Sequence, residues 1–286
     1  MELTHRDFDD LRGYIYELCG LHIPDNKEYL ITQRLKGLLR AAEAESWREL
    51  YEFLRRDCSA QVRNEVISAI TTNETSFFRD QHPFDSFRDQ LLPEFCKKLV
   101  ARRLSGDRTP LRIWSAAAAS GQEAYTLAMI IMDHLERNPG NGLRPCDFTI
   151  LGTDISARVL AKATQAEYSD FELSRGLPEA YRKYFERAES RWRVRGDLRS
   201  MVEFRQLNLV TDFTDLKIFD VIFCRNVLIY FDQATKKQIL ERFSKILRPG
   251  CHLILGSTES VYGLSEAFCQ ERIGKAILYR LKGPGC

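Results

Sequence analysis

FDVIFCRNVLIYFD, residues 219–232, holds an apolar run of strand character that stops abruptly on Arg225 and Asn226 and resumes with Ile229, Tyr230 and Phe231. In open α/β sheets the ligand crevice lies beyond the carboxyl ends of the strands, so a strand that ends in a polar pair presents it where such a fold does its chemistry. A buried strand followed by an ordinary polar loop would read the same way locally. The flanking stretches decide between the two.

Downstream, a helical pattern over residues 233–247 stops at Arg248, Pro249 and Gly250. A strand follows over 251–257, and two more runs, 268–273 and 276–281, close around Gly274 as a tight hairpin. Upstream, residues 111–116, 148–153 and 201–206 read as strands, with helical stretches over 120–135 and 156–163. This alternation predicts parallel βα units. Residues 168–200 are too long for a plain connection and predict an inserted subdomain. The first eighty residues read instead as four short helices. Thr4 precedes Phe8, Leu11, Ile15 and Leu18, with Gly20 as the stop; Asp25 with Glu28 and Ser46 with Glu49 have capping-box spacing; a fourth helix over 59–71 buries Val62, Val66 and Ile70. The expected division is a helical domain over 1–80, a connecting helix (83–103) and linker within 81–110, and an α/β domain over 111–286.

The 286 residues are 44% hydrophobic, and 42 Lys and Arg against 40 Asp and Glu leave a net charge of +2. That balance argues against a nucleic-acid binder that relies on bulk charge. Residues 175–205 are locally basic, either a solvated face or a dock for an acidic surface. Eight cysteines (Cys19, Cys58, Cys96, Cys146, Cys224, Cys251, Cys269 and Cys286) stand singly, without metal spacing, and read as reduced thiols of a cytoplasmic protein. The polar start MELTHRDFDD and the lack of a long apolar run predict neither secretion nor a membrane span.

Three stretches converge on the crevice. SAAAASGQEAYT, residues 115–126, is a small-residue loop running into a helix, which lets backbone approach a ligand closely. It lacks G-x-G-x-x-G, so a pyrophosphate site is poorly supported. Ser120 and Glu123 again have capping-box spacing, which explains Glu123 about as well as a ligand does. Asp154 follows the second strand, placed either to accept hydrogen bonds from ribose hydroxyls or to cap the next helix.

TTNETSFFRD (71–80), WSAAAASGQEAYTLAM (114–129), LGTDIS (151–156), the Asn208-Leu209 pair and FCRNVLIYFD (223–232), in this order, resemble the CheR-type methyltransferases, which methylate glutamates on bacterial chemoreceptors. The resemblance covers nearly the whole chain. It implies an all-α N-terminal domain, a class I α/β methyltransferase domain that binds S-adenosylmethionine, and a small antiparallel β-subdomain inserted at 168–200. By the same resemblance Asn73, Thr75 and Arg79 close the cofactor site from above. Glu123 and Asp154 hold the amino acid or ribose parts, Asn208 and Leu209 flank the adenine, Arg225 and Asn226 line the floor, and Tyr230 faces the methyl group. Arg79 and Tyr230 are the expected catalytic pair. Gln122 and Ala124 depart from the family's usual Glu and Pro, and Gln122 is expected to remove a negative charge beside the sulfonium. The expected partners are receptors with acidic methylation helices, met by Arg34, Lys36 and Arg40, with membranes reached only through them. The short segment 186–201 predicts weak or no binding of a C-terminal receptor peptide. An RNA or small-molecule methyltransferase, or a non-catalytic cofactor-binding protein, remains the alternative; a nicotinamide dehydrogenase is the weakest rival.

Overall fold

The computed structural model describes residues 2–283; Cys286 lies outside them. The N-terminal part is four helices, α1 (His5–Cys19), α2 (Glu28–Ala41), α3 (Trp47–Arg56) and α4 (Ala60–Ile70). Thr4, Ser46 and Ser59 each accept the N–H three residues on, which satisfies donors that a helix start leaves free. Phe8, Leu11, Ile15, Ile31, Leu35 and Leu50 form a core of their own. Two capping expectations need correction. Asp25–Lys27 is a short 3-10 turn and α2 has no side-chain cap, because the Asp25 carboxylate pairs with Arg12 on α1 instead. Glu49 reaches the Glu45 N–H rather than that of Ser46, so only half of that box forms.

The connecting helix runs as α5 (His82–Ser86), a π turn over Phe87–Leu91, and α6 (Leu92–Leu104). Beyond it the chain gives β1 (Leu111–Ala116), α7 (Gln122–Arg137), β2 (Phe148–Asp154) and α8 (Ala157–Gln165). The insert follows as β3 (Glu167–Tyr168), α9 (Asp170–Ser174), β4 (Phe185–Ala188), β5 (Arg191–Val194) and α10 (Gly196–Arg199). The main sheet is completed by β6 (Val202–Gln206), β7 (Phe219–Cys224), α11 (Gln233–Ile246), β8 (Leu247–Leu255), β9 (Phe268–Ile273) and β10 (Ala276–Leu281).

The seven-stranded sheet has the order β6-β2-β1-β7-β8-β10-β9, parallel through β8 and antiparallel at the final hairpin. The insert forms its own antiparallel sheet, β3-β5-β4. β8 begins at Leu247, four residues before the expected strand start. The register with β7 jumps from Leu247 to His252, so Arg248, Pro249 and Gly250 fall in an irregular gap, which a proline without an N–H tolerates. Every residue of β7 is buried, and Trp114 packs against Phe213, Phe219 and Phe243 while its indole N–H reaches Thr153 Oγ1 at 2.9 Å. Burying each such side chain contributes about 1.5–3 kcal/mol. Ala116 lies level with Thr153 on one side and Cys224 on the other, so β1, β2 and β7 end together.

The helical domain sits over that edge through polar contacts. Tyr16 donates its hydroxyl to Asp232 Oδ2 (2.8 Å), the His22 backbone N–H donates to the Tyr230 carbonyl (2.9 Å), and Asn208 Nδ2 donates to the Leu18 carbonyl (3.1 Å). Much of the insert's positive charge is matched in place: Arg182 and Arg187 face Asp170, Arg191 faces Glu172, Arg193 faces Glu167, and Lys183 meets Glu136.

Candidate active site

Asn73, Thr75, Arg79, Glu123, Asp154, Asn208, Leu209, Arg225, Asn226 and Tyr230 all line one cavity between the sheet edge and the helical domain. Each reaches it by a different local device. After β1 the chain turns through Ala117 (φ 61°), Ala119 (φ 48°) and Gly121 (φ 93°), all in the left-handed region. Methyl-sized side chains leave that turn open to a ligand, and at Gly121 a Cβ would come within 3.0 Å of Ala163 and 3.1 Å of the Tyr168 hydroxyl. Asp154 is buried at the end of β2. Its two oxygens accept the backbone N–H groups of Ala119 and Ser156, both at 2.9 Å, which joins the loop after β1 to the end of β2. Burial pushes this carboxyl above its usual range, against those hydrogen bonds, which pull it down. The cap of α8 is Ser156, not Asp154.

Glu123 caps nothing. Gly121 occupies the cap position of α7, the Ser120 hydroxyl turns to Gln122, and Glu123 accepts from Ser115 Oγ at 2.7 Å and from Arg225 at 3.1 Å. A cation at the end of β7 outcompetes the helix terminus for this carboxylate. Gln122, expected beside the sulfonium, is buried with its amide oxygen bound to Ser120 and is not on the cavity wall.

Arg225 is buried and serves several groups. It donates to Glu123, to the Arg79 carbonyl (2.7 Å) and to Asp80 (2.9 Å), and its guanidinium lies 5.1 Å from the Phe84 ring centroid. Through it the floor of the cavity grips the segment 71–80 that covers it. Arg79 differs. It donates to the Glu74 carbonyl at 2.7 Å and has no carboxylate partner among the described residues: Asp80 pairs with Arg225, and Glu74 with Arg175.

Two groups of contacts escaped sequence reading. Cys19 and Leu21, at the end of α1, line the cavity, although nothing local in a helix end marks it as a cofactor wall. Tyr168, in the insert and fully buried, donates its hydroxyl to the Ser120 carbonyl (2.8 Å) while its ring meets Phe77 edge-on at 5.0 Å. Among the described residues no cluster of His, Cys, Asp or Glu could hold a metal ion, and no helix is long and apolar enough to cross a membrane.

A parallel sheet closed by an antiparallel hairpin, with an open small-residue turn after β1 and an acid after β2, defines a methyltransferase domain of the kind that binds S-adenosylmethionine. The family described as CheR methyltransferase, SAM binding domain, matches residues 73–277, and its all-alpha domain matches residues 6–71. A chemotaxis protein methyltransferase of Pseudomonas putida is 36% identical over 99% of this chain and 100% of its own length. Relatives of the same description from Pseudomonas aeruginosa (37% identical, 99% of this chain and 100% of theirs) and Vibrio cholerae (36%, 98% of each) match as fully. The chain belongs to the CheR family of chemotaxis methyltransferases. It is an S-adenosylmethionine-dependent enzyme of that family.

Proposed function

We propose that this chain transfers a methyl group to glutamate side chains of chemoreceptors, forming methyl esters in the cytoplasm. The observation that carries this reading is Arg79, a cation on the cavity wall with no carboxylate partner among the described residues, on the segment that covers the cavity. The residues present suit the methyl donor. Asp154 offers a carboxylate beside the open alanine turn, and Leu21, Leu209 and Phe231 offer apolar surface. When bound, S-adenosylmethionine supplies a methyl on a sulfonium, open to in-line attack by a carboxylate oxygen.

The chain's own task is alignment rather than proton transfer. A glutamate with a pKa near about 4.3 is ionised at neutral pH, so no general base is needed. Attack cancels an anion against a cation, so keeping water out of the cavity favours the transition state over separated reactants. In this reading Arg79 orients the incoming carboxylate, Tyr230 packs beside the methyl, Asp154 holds the ribose, and Asn208 and Leu209 border the adenine. Holding the reactants in register can supply roughly 7–11 kcal/mol of the barrier. Asn73 and Thr75 border the same space from above. Arg225, bound through its two terminal nitrogens, holds Glu123 and the covering segment in place for the donor.

Receptor recognition falls to the exposed face of α2. Lys36 and Arg40 lie on the side away from buried Ile31 and Leu35, and Arg34 is tied to the Thr71 carbonyl (3.3 Å) and to Thr72 Oγ1 (3.1 Å). The carboxylates facing the insert's cations weigh against an RNA substrate held there. A receptor C-terminal peptide is expected to bind weakly, because β4 and β5 are joined by a tight turn at Glu189 and Ser190; low-micromolar binding by calorimetry would reverse that. The deciding experiment is incubation with methyl-labelled S-adenosylmethionine and receptor-containing membranes. Base-labile label on receptor protein is expected, and none at all would overturn the reading.

A further inference from the structure

Four backbone N–H groups converge on one buried carboxylate behind the cavity. Glu259 follows β8, is 9% exposed, and accepts from Val227 (2.9 Å) and Ile229 (3.2 Å) on Oε1 and from Asn226 (2.8 Å) and Gly256 (2.7 Å) on Oε2. The loops after the adjacent parallel strands β7 and β8 are thereby pinned to each other. The packing leaves no slack. A Cβ on Gly256 would stand 2.7 Å from Glu259 Oε2 and 2.9 Å from the backbone N of Asn226.

The pinned turn is an unusual one. Asn226 has φ 57°, a conformation that costs a non-glycine residue on the order of 1 kcal/mol or more unless its surroundings enforce it. From there the chain enters the 3-10 turn Leu228–Tyr230, and Asn226, Val227 and Tyr230 all stand on the cavity wall. An ionised carboxylate has about four lone-pair sites and no donor, which matches four converging N–H groups; no neutral side chain does.

We propose that Glu259 is a positioning residue for methyl transfer, its carboxylate setting the turn that carries Asn226, Val227 and Tyr230 to the donor. This rests on the reading that those residues meet the donor. Glu259 does not line the cavity. It acts through the backbone, and its effect therefore falls on the donor side of the reaction while the receptor-facing α2 is untouched.

The test compares the full-length wild type with Glu259→Gln and Gly256→Ala. Glutamine places an NH2 group against two N–H donors, and alanine pushes the loops apart without changing charge. S-adenosylhomocysteine affinity is measured by calorimetry, the receptor KM by methyl-label kinetics, and folding by thermal melting. Loss of charge-assisted bonds of this kind predicts roughly tenfold weaker S-adenosylhomocysteine binding in Glu259→Gln. A smaller loss is expected in Gly256→Ala, with the receptor KM unchanged in both. Unchanged product affinity in both variants, or donor and receptor constants that worsen together, would overturn the proposal. So would failure of both variants to fold, which would make the carboxylate a folding requirement. Wild-type protein that bound no S-adenosylhomocysteine would instead count against the cofactor reading itself.

Discussion

The floor and the cover of the cavity are built on opposite plans. On the floor Asp154, Glu123 and Arg225 are buried; backbone N–H groups hold Asp154, while the Ser115 hydroxyl and Arg225 hold Glu123. In the cover, residues 71–80, Thr72, Glu74 and Asp80 are exposed and Arg79 is only partly covered. Its anchors include two aromatic rings, Phe77 and Phe78, and the grip of Arg225 on the Arg79 carbonyl and Asp80. A preorganised floor suits a ligand that must be held the same way each time. A cover whose Arg79 meets no carboxylate among the described residues suits a substrate that arrives from outside.

The sharpest way to break this comparison is to cut the link between the two parts. Arg225→Met leaves Glu123 without its buried partner, a change that typically costs about 3–5 kcal/mol. Thermal melting should show a large loss of stability together with loss of S-adenosylhomocysteine binding; a variant as stable as wild type would mean that floor and cover are not coupled through Arg225. Next in size, Arg79→Ala should lower turnover about 100-fold, equivalent to about 2.7 kcal/mol, while melting stays put, because the side chain has one backbone contact. Full turnover with unchanged cofactor affinity would remove Arg79 from the mechanism.

The floor's own chemistry is open to titration. Because burial raises the folded-state pKa of Asp154 above that of the unfolded chain, the folded form binds more protons in the window between the two values. The stability contributed by this group is therefore fully present below the unfolded value of about 3.8 and is lost as pH rises through the folded one. Once ionised, this carboxylate therefore costs stability rather than adding to it. S-adenosylhomocysteine affinity should weaken as pH falls from about 7 toward about 4, sooner than an ordinary aspartate would allow. Affinity that stayed flat across that range would show that the charge of Asp154 does not hold the ribose. The smallest expected effect is Tyr168→Phe, which strips one hydrogen bond from the Ser120 carbonyl: about 1 kcal/mol, a melting shift of about 2–4 °C, and a few-fold loss of cofactor affinity. No change in either would mean that the insert does not support the cofactor loop.

Much of this architecture was legible because it is local. Alternating apolar runs gave the strands, the final hairpin runs 268–273 and 276–281 fall on β9 and β10 residue for residue, and the stop at Arg225-Asn226 marked the sheet edge. What failed depends on partners far away in sequence. The spacing of Ser120 and Glu123 describes a helix cap, yet Arg225, 102 residues on, claims the carboxylate. Asp25 loses its cap to Arg12 in the same way. Glu259 offers no period and no motif; its meaning lies in four N–H groups from two loops, one of them more than thirty residues upstream.

The bond from the His22 N–H to the Tyr230 carbonyl has its own consequence. It joins the helical domain to the turn that carries Tyr230 on the cavity wall, and it is made entirely of main chain. Substitutions on the exposed surface of α2 would leave it in place, and at position 22 only proline would delete the donor. The helical domain is in that sense mounted on a fixed bearing: its exposed side chains are free to diverge while the main-chain joint to the cavity keeps its alignment.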